Sequence, residues 1–210
     1  MSDYIQSHGR LSQYHLNRIE QTINKSLQQH PRTLAIRVDL HVPYHPQPCD
    51  EPDEYSFANT DASVISRFTA SLKAKIAADL NMKKRQGIRV HNTTVRYIWA
   101  REYCPTTYAI HYHVVLLLNK DTYAFLGKYT AAEGNLSSMI NDAWYSALGL
   151  GFDCPGALVY FPDNPCYWLD INSTDFNTSY RDLVYRASYL AKVETKRQDD
   201  NQRNFGYSQR

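Results

Sequence analysis

Apolar positions along the chain follow first a helical and then a two-residue period, and each change of period marks an element. From Leu11 to about Gln29, the residues Leu11, Tyr14, Leu16, Ile19, Ile23 and Leu27 recur at helical spacing until Pro31 ends the run. This predicts an amphipathic helix packed on the domain, with His15 and His30 at its surface or interface. Period two follows. Between Thr33 and Val42, Leu34, Ile36, Val38, Leu40 and Val42 share one face while Arg37, Asp39 and His41 share the other, the pattern of a half-buried strand with a polar face. Pro43 stops that strand, and Tyr44 to Glu54 reads as loop. Asp61 is placed to cap a second helix reaching about Arg85, with Val64, Ile65, Phe68, Leu72, Ile76 and Leu80 as its stripe. Its closing Lys83, Lys84 and Arg85 suit a helix dipole as well as a phosphate.

Two strands come next, Thr93 to Tyr103 and Tyr108 to Asn119, and the short CPTT link between them predicts an antiparallel hairpin. The second strand begins in alternation and becomes the branched run VVLLL, which places it in the middle of a sheet. A helix is expected around Leu136 to Leu148, closed by Gly149 and Gly151. The segment ALVYFPDNPCYWLDI reads as one or two strands interrupted by PDNP. Ser179 and Asp182 approximate a capping box for a last helix from about Tyr180 to Lys196, and the polar remainder reads as a mobile tail. The expected layout is a helical segment over 1–31, a core domain over 32–196 and a tail over 197–210.

Composition narrows the class. A chain of 210 residues with 43% hydrophobic and 21% charged residues fits one domain and excludes a mainly disordered protein. The net charge of +2 is near neutral, so any basic surface has to come from clustering. The 17 tyrosines, many near arginine or lysine, suit stacking on exposed bases and also packing at the wet edge of a sheet. The N-terminal stretch lacks the apolar core of a signal peptide and no apolar run approaches a membrane span, which predicts a soluble cytoplasmic protein. Cys49, Cys104, Cys154 and Cys166 never take CxxC spacing and read as reduced, mostly buried thiols; a zinc site built on Cys104 and the histidines lacks a second close ligand pair.

Candidate chemistry centres on His111 and His113. Side chains alternate across a strand, so these two imidazoles project from one face and form half of a metal site, although the solvated end of a strand carries such pairs as well. If Tyr103 pairs with Tyr108 across the hairpin, Glu102 joins that face as a third ligand. A register slip of one residue would send it to the other side. Tyr185, Tyr189 and Lys192, spaced i, i+4 and i+7, share one face of the last expected helix, while Leu183, Ala187 and Leu190 can anchor it to the sheet. A tyrosine held over a metal-bearing sheet is suited to attack a phosphodiester, with a lysine one turn away to position the phosphate or stabilise the phenolate. Tyrosines in this setting also simply pack.

These residues carry a resemblance. His111-Tyr112-His113 is a His-hydrophobic-His motif, and Tyr185-Arg-Ala-Ser-Tyr189-Leu-Ala-Lys192 reads both as YxxxY and as YxxK. Metal motif before tyrosine motif resembles the replication-initiator branch of the HUH single-strand endonucleases. RYIWAREY followed by HYHVVLLLN resembles the inovirus-type and prophage YagK/YfjJ-like replication initiators, over roughly Leu34 to Lys192. The resemblance implies an α+β fold with a central antiparallel sheet of about five strands flanked by helices, the histidine strand near its centre. It implies Mg²⁺ or Mn²⁺ held by His111, His113 and Glu102, and Tyr189 as the nucleophile that leaves a 5′-phosphotyrosine and a free 3′-OH for rolling-circle synthesis. Tyr185 would be the second nucleophile and Lys192 the helper, and Arg37, Asp39, Arg96 and Arg101 the expected DNA contacts. The partner would be single-stranded DNA at a replication origin. No P-loop drives a helicase here, so unwinding and synthesis would fall to a host helicase and polymerase. A non-catalytic DNA-binding protein and a metal-dependent nuclease using activated water remain open alternatives at this point.

Overall fold

The computed structural model describes residues 4–5, 9–43, 57–104, 106–107, 109–129, 134–151, 157–194, 196 and 202–209. Four α-helices and six strands follow one another along them: α1 (Gln13–Gln29), β1 (Arg32–His41), α2 (Val64–Arg85), β2 (Arg96–Tyr103), β3 (Ile110–Asn119), α3 (Leu136–Leu148), β4 (Val159–Tyr160), β5 (Cys166–Asp170), α4 (Phe176–Ser188) and β6 (Phe205–Tyr207). The strands form one open antiparallel sheet in the order β4-β1-β3-β2-β6, and β5 pairs with β1 on the same edge as β4. The fold is therefore α+β, with six strands where five were expected. The loop expected over 44–54 lies outside the described residues.

Side-chain alternation divides the molecule into two cores. Even residues of β1 and β3 (Leu34, Ile36, Val38, Leu40, Tyr112, Val114, Leu116, Leu118) pack with Trp99 against α2 and α3. On the opposite face Ala35, Ile98, Ala100, Val115 and Leu117 pack under α1, which contributes Ile19 and Ile23, under α4, which contributes Leu183 and Ala187, and under Leu190 just beyond it. Helices cover both faces, so β3 is buried throughout its centre, as its unbroken VVLLL run requires. The same cover changes the reading of β1. On its expected polar face Arg37 is buried and Asp39 half-buried, while His41 stays exposed.

Helix boundaries follow local chemistry. Ser12 caps α1, its side chain accepting from the His15 amide, and Asn135 and Ser138 form a reciprocal capping box on α3, which Gly149 closes in the left-handed conformation. Asp61 does not cap α2: it lies in the preceding turn, where its carboxylate accepts from the Ser63 amide at 2.8 Å. Two expectations near the C-terminus are corrected. α4 begins at Phe176 and ends at Ser188, so it is earlier and shorter than Tyr180 to Lys196, and Tyr189–Ala191 form a 3-10 turn beyond it. The tail is not wholly mobile, because Phe205–Tyr207 extend the sheet beside β2. Gly206 is required there: a Cβ would fall 2.5 Å from the Trp99 indole. Among the described residues no helix is long and apolar enough to cross a membrane.

Candidate active site

The site lies on the α1/α4 face of the sheet. Tyr103 pairs with Ile110 rather than Tyr108, so the hairpin register differs by two residues from the expected one. A shift of two preserves the face, and Glu102 lies directly opposite His111. Donor atoms of Glu102, His111 and His113 all lie within 4.8 Å of one another, and Glu102 Oε2 is 3.5 Å from His113 Nε2. Two imidazoles and a carboxylate are a donor set suited to a divalent ion with coordination positions left open. One observation favours such a ligand: His113 Nε2 is buried and has no hydrogen-bond partner. Burial, with the neighbouring His113 second, holds the His111 pKa below its ordinary value and favours the neutral imidazole that a metal needs.

The other nitrogen of His113 is held by β1. Asp39, directly across from His113 in the sheet, places Oδ1 2.6 Å from Nδ1. An ionised carboxylate only accepts, so this contact puts the proton on Nδ1 and leaves the Nε2 lone pair facing Glu102. Burial alone would raise the Asp39 pKa, but the His113 hydrogen bond and the Arg37 charge hold it at about 2. Arg37 donates to Asp39 and, at 2.8 Å, to the Val38 carbonyl; its Nη2 also approaches His113 Nδ1 at 2.6 Å, but a guanidinium only donates, so that approach is no hydrogen bond while Nδ1 carries the proton. Arg37 and Asp39, expected as DNA contacts, therefore brace a histidine of the donor cluster. His41 continues the row, opposite His111 and stacked on it at 5.8 Å.

The tyrosine segment meets the metal face at one residue. The Tyr189 ring stands edge-on to His113 with centroids 5.0 Å apart. Lys192 Nζ lies 4.4 Å from the Tyr189 centroid, because a 3-10 turn has three residues per turn and aligns i with i+3. Tyr185 is one helical turn earlier, 46% exposed on α4, and among the described residues has no ring contact with a histidine. Chain entry holds this segment in place. The Ser12 amide donates to the Ala191 carbonyl (2.9 Å), the Val193 amide to the Arg10 carbonyl (3.0 Å) and the Ile5 amide to Ser188 Oγ (2.9 Å).

Two expected contacts are placed elsewhere. Arg101 points to the α2/α3 face, is only 2% exposed and is bound by Gln202 and, at 2.8 and 3.1 Å, by Asn204. Arg96 lies at the far end of β2, where it donates to Gln29 at 3.1 Å. Lys196 was missed as a site residue: its Nζ lies 3.7 Å from Glu102 Oε1, and burial together with the Lys192 charge brings its pKa down to about 8, against the pull of Glu102. Only the face of His41 signalled that residue. Nothing in the sequence signalled Lys196, because its position depends on where α4 stops. Cys104 and Cys166 are free and half-buried, outside the donor cluster, while Cys49 and Cys154 lie outside the described residues.

The comparisons with known proteins concern the whole chain. Residues 1–208 match the model of the YagK/YfjJ C-terminal domain. The chain is 43% identical to "Uncharacterized protein YagK" of Escherichia coli (strain K12), covering 100% of this chain and 99% of that protein. It is 40% identical to "Uncharacterized protein YfjJ" of the same strain, covering 91% and 92% respectively. No solved structure matches.

Proposed function

Since the chain belongs to the YagK/YfjJ C-terminal domain family, and its relatives' names describe no activity, we propose a function from the site: it nicks and rejoins single-stranded DNA through a tyrosine adduct, as an HUH-type initiator of rolling-circle replication. The observation that carries this reading is the Tyr189 ring against His113, whose buried Nε2 stands beside Glu102 and His111. His111, His113 and Glu102 would hold Mg²⁺ or Mn²⁺. Bound there, the ion would polarise a phosphate oxygen and offset the charge that develops on it.

The chain's own residues do the rest. Tyr189 Oη attacks phosphorus, the phenolic proton passes to water, and the bond from phosphorus to the 3′-oxygen breaks. That oxygen takes up a proton and leaves as a free 3′-OH, while the 5′-phosphate stays on the tyrosine. Lys192 favours the phenolate and the charge on the phosphate, and Asp39 keeps His113 in the tautomer that presents Nε2. Tyr185, one turn away, acts second, attacking the strand that closes the round. The substrate is single-stranded DNA at a replication origin, with a host helicase and polymerase supplying unwinding and synthesis.

The test is a denaturing gel of the protein with labelled single-stranded DNA from its own replicon and Mn²⁺, beside Tyr189→Phe, Tyr185→Phe and His113→Ala. A covalent band in the parent that is lost in Tyr189→Phe and His113→Ala and kept for the first cleavage in Tyr185→Phe is expected. Cleavage without an adduct would assign the site to activated water, and binding without cleavage would leave a DNA-binding protein.

A further inference from the structure

Next to Tyr189, on the side of α1 and β6, a cavity of about 320 Å³ is lined by Ser12, His15, Lys192, Lys196, Arg203 and Asn204. Its charged groups are three cations; Glu102 lies 3.7 Å from Lys196, and Glu194 also attracts that ammonium. Lys192 is 7% exposed and, among the described residues, has no carboxylate partner; its ammonium meets the Tyr189 ring. A buried ammonium without a counterion is unfavourable, and an anionic ligand removes that cost. His15 adds a second unsatisfied group: its ring stacks on Phe205 at 4.1 Å, and its Nδ1 is buried with no hydrogen-bond partner. Arg203 is exposed at the end of the chain segment that leads into β6. The volume equals that of about ten waters, enough for a phosphate group.

We propose that this cavity is a phosphate subsite. It takes one backbone phosphodiester of the single strand, neighbouring the one that Tyr189 attacks, so that the strand runs from Tyr189 across Lys192 toward Arg203. The proposal rests on the nickase reading and adds to it the path of the substrate.

The test uses full-length Tyr189→Phe protein, so that binding is read without chemistry. Single-stranded oligonucleotides carrying one neutral methylphosphonate linkage, moved stepwise along the strand, are titrated by fluorescence anisotropy. One linkage is expected to weaken binding roughly fivefold to tenfold, and Arg203→Ala to weaken the unmodified strand to a similar extent and lower its salt slope by about 0.7. In Arg203→Ala, and separately in Lys192→Gln, neutralising that same linkage is expected to cost little more. No linkage coupled to either residue overturns the subsite. Saturation by inorganic phosphate with no effect on strand binding also overturns it, as a free-phosphate site. The adduct gel is read separately on the parent: an adduct without coupling removes only the subsite, whereas coupling without an adduct removes the tyrosine chemistry.

Discussion

At the scale of single residues, His113 is the most constrained member of the site, because Asp39 holds one ring nitrogen and the other is buried facing Glu102 at 3.5 Å. Asp39→Asn replaces an acceptor with a group that can donate to Nδ1, which moves the proton to Nε2 and removes the lone pair a metal would use. Mn²⁺ affinity is expected to fall by about 10- to 100-fold, measured by calorimetric titration; unchanged affinity would show that Asp39 does not orient the ligand. A separate residue sets a pH dependence. Burial first, and the Lys196 charge second, lower the His15 pKa to about 4, below its ordinary 6.5. The unfolded chain therefore binds the proton more readily, so the stability that neutral His15 contributes is complete above about pH 6.5 and is lost as pH falls toward 4. The urea midpoint should drop between pH 7 and 5, and less so in His15→Leu. The grouping of the donor side chains was legible in the sequence, since period two aligns His111 with His113 and a hairpin register of the right parity keeps Glu102 on their face. It could not show that Arg37 and Asp39 serve His113, because that depends on which strand lies beside β3.

At the scale of elements, α4 is where sequence periodicity misled. Tyr185, Tyr189 and Lys192 fit one face of a continuous helix, yet the hydrogen-bonding pattern changes after Ser188, whose hydroxyl donates to the Tyr185 carbonyl at 2.7 Å and accepts from the Ile5 amide. The contact that ends the helix comes from the other end of the chain and leaves no local signal. β6 was illegible for a similar reason: three residues in a polar stretch form a strand only because β2 offers an open edge and Trp99 lies beside Gly206. Gly206→Ala would force backbone and indole apart and is expected to destabilise the protein by about 1–3 kcal/mol, read from chemical denaturation. A change within a few tenths of a kcal/mol would mean that β6 contributes little. By contrast α3 follows its expected bounds, because its cap, stripe and closing glycine are all local.

At the scale of the whole molecule, the sheet separates two tasks. Its α2/α3 face is a continuous apolar core, and its α1/α4 face carries apolar packing at one end and the donor cluster at the other. A ligand that binds only the folded state raises stability by mass action, so Mn²⁺ at about 100 times its dissociation constant should add about 2.7 kcal/mol to unfolding. The corresponding rise in Tm should disappear with chelator and in His113→Ala; an equal rise in that variant would place the ion elsewhere. The sheet also fixes what can move. Glu102, His111 and His113 ride on β2 and β3, paired along most of their length. Tyr189 rides on a single 3-10 turn, held by the Lys192 amide at 3.2 Å and by the crossing bonds from residues 10 and 12. Local opening of that turn costs far less than opening the sheet, so hydrogen exchange should be faster at Lys192 and Val193 than at Val114 or Val115. Under the proposed chemistry, a tyrosine joined to a DNA end would swing out on that turn to pass its cargo on and return, while the charged floor stays fixed in the paired strands.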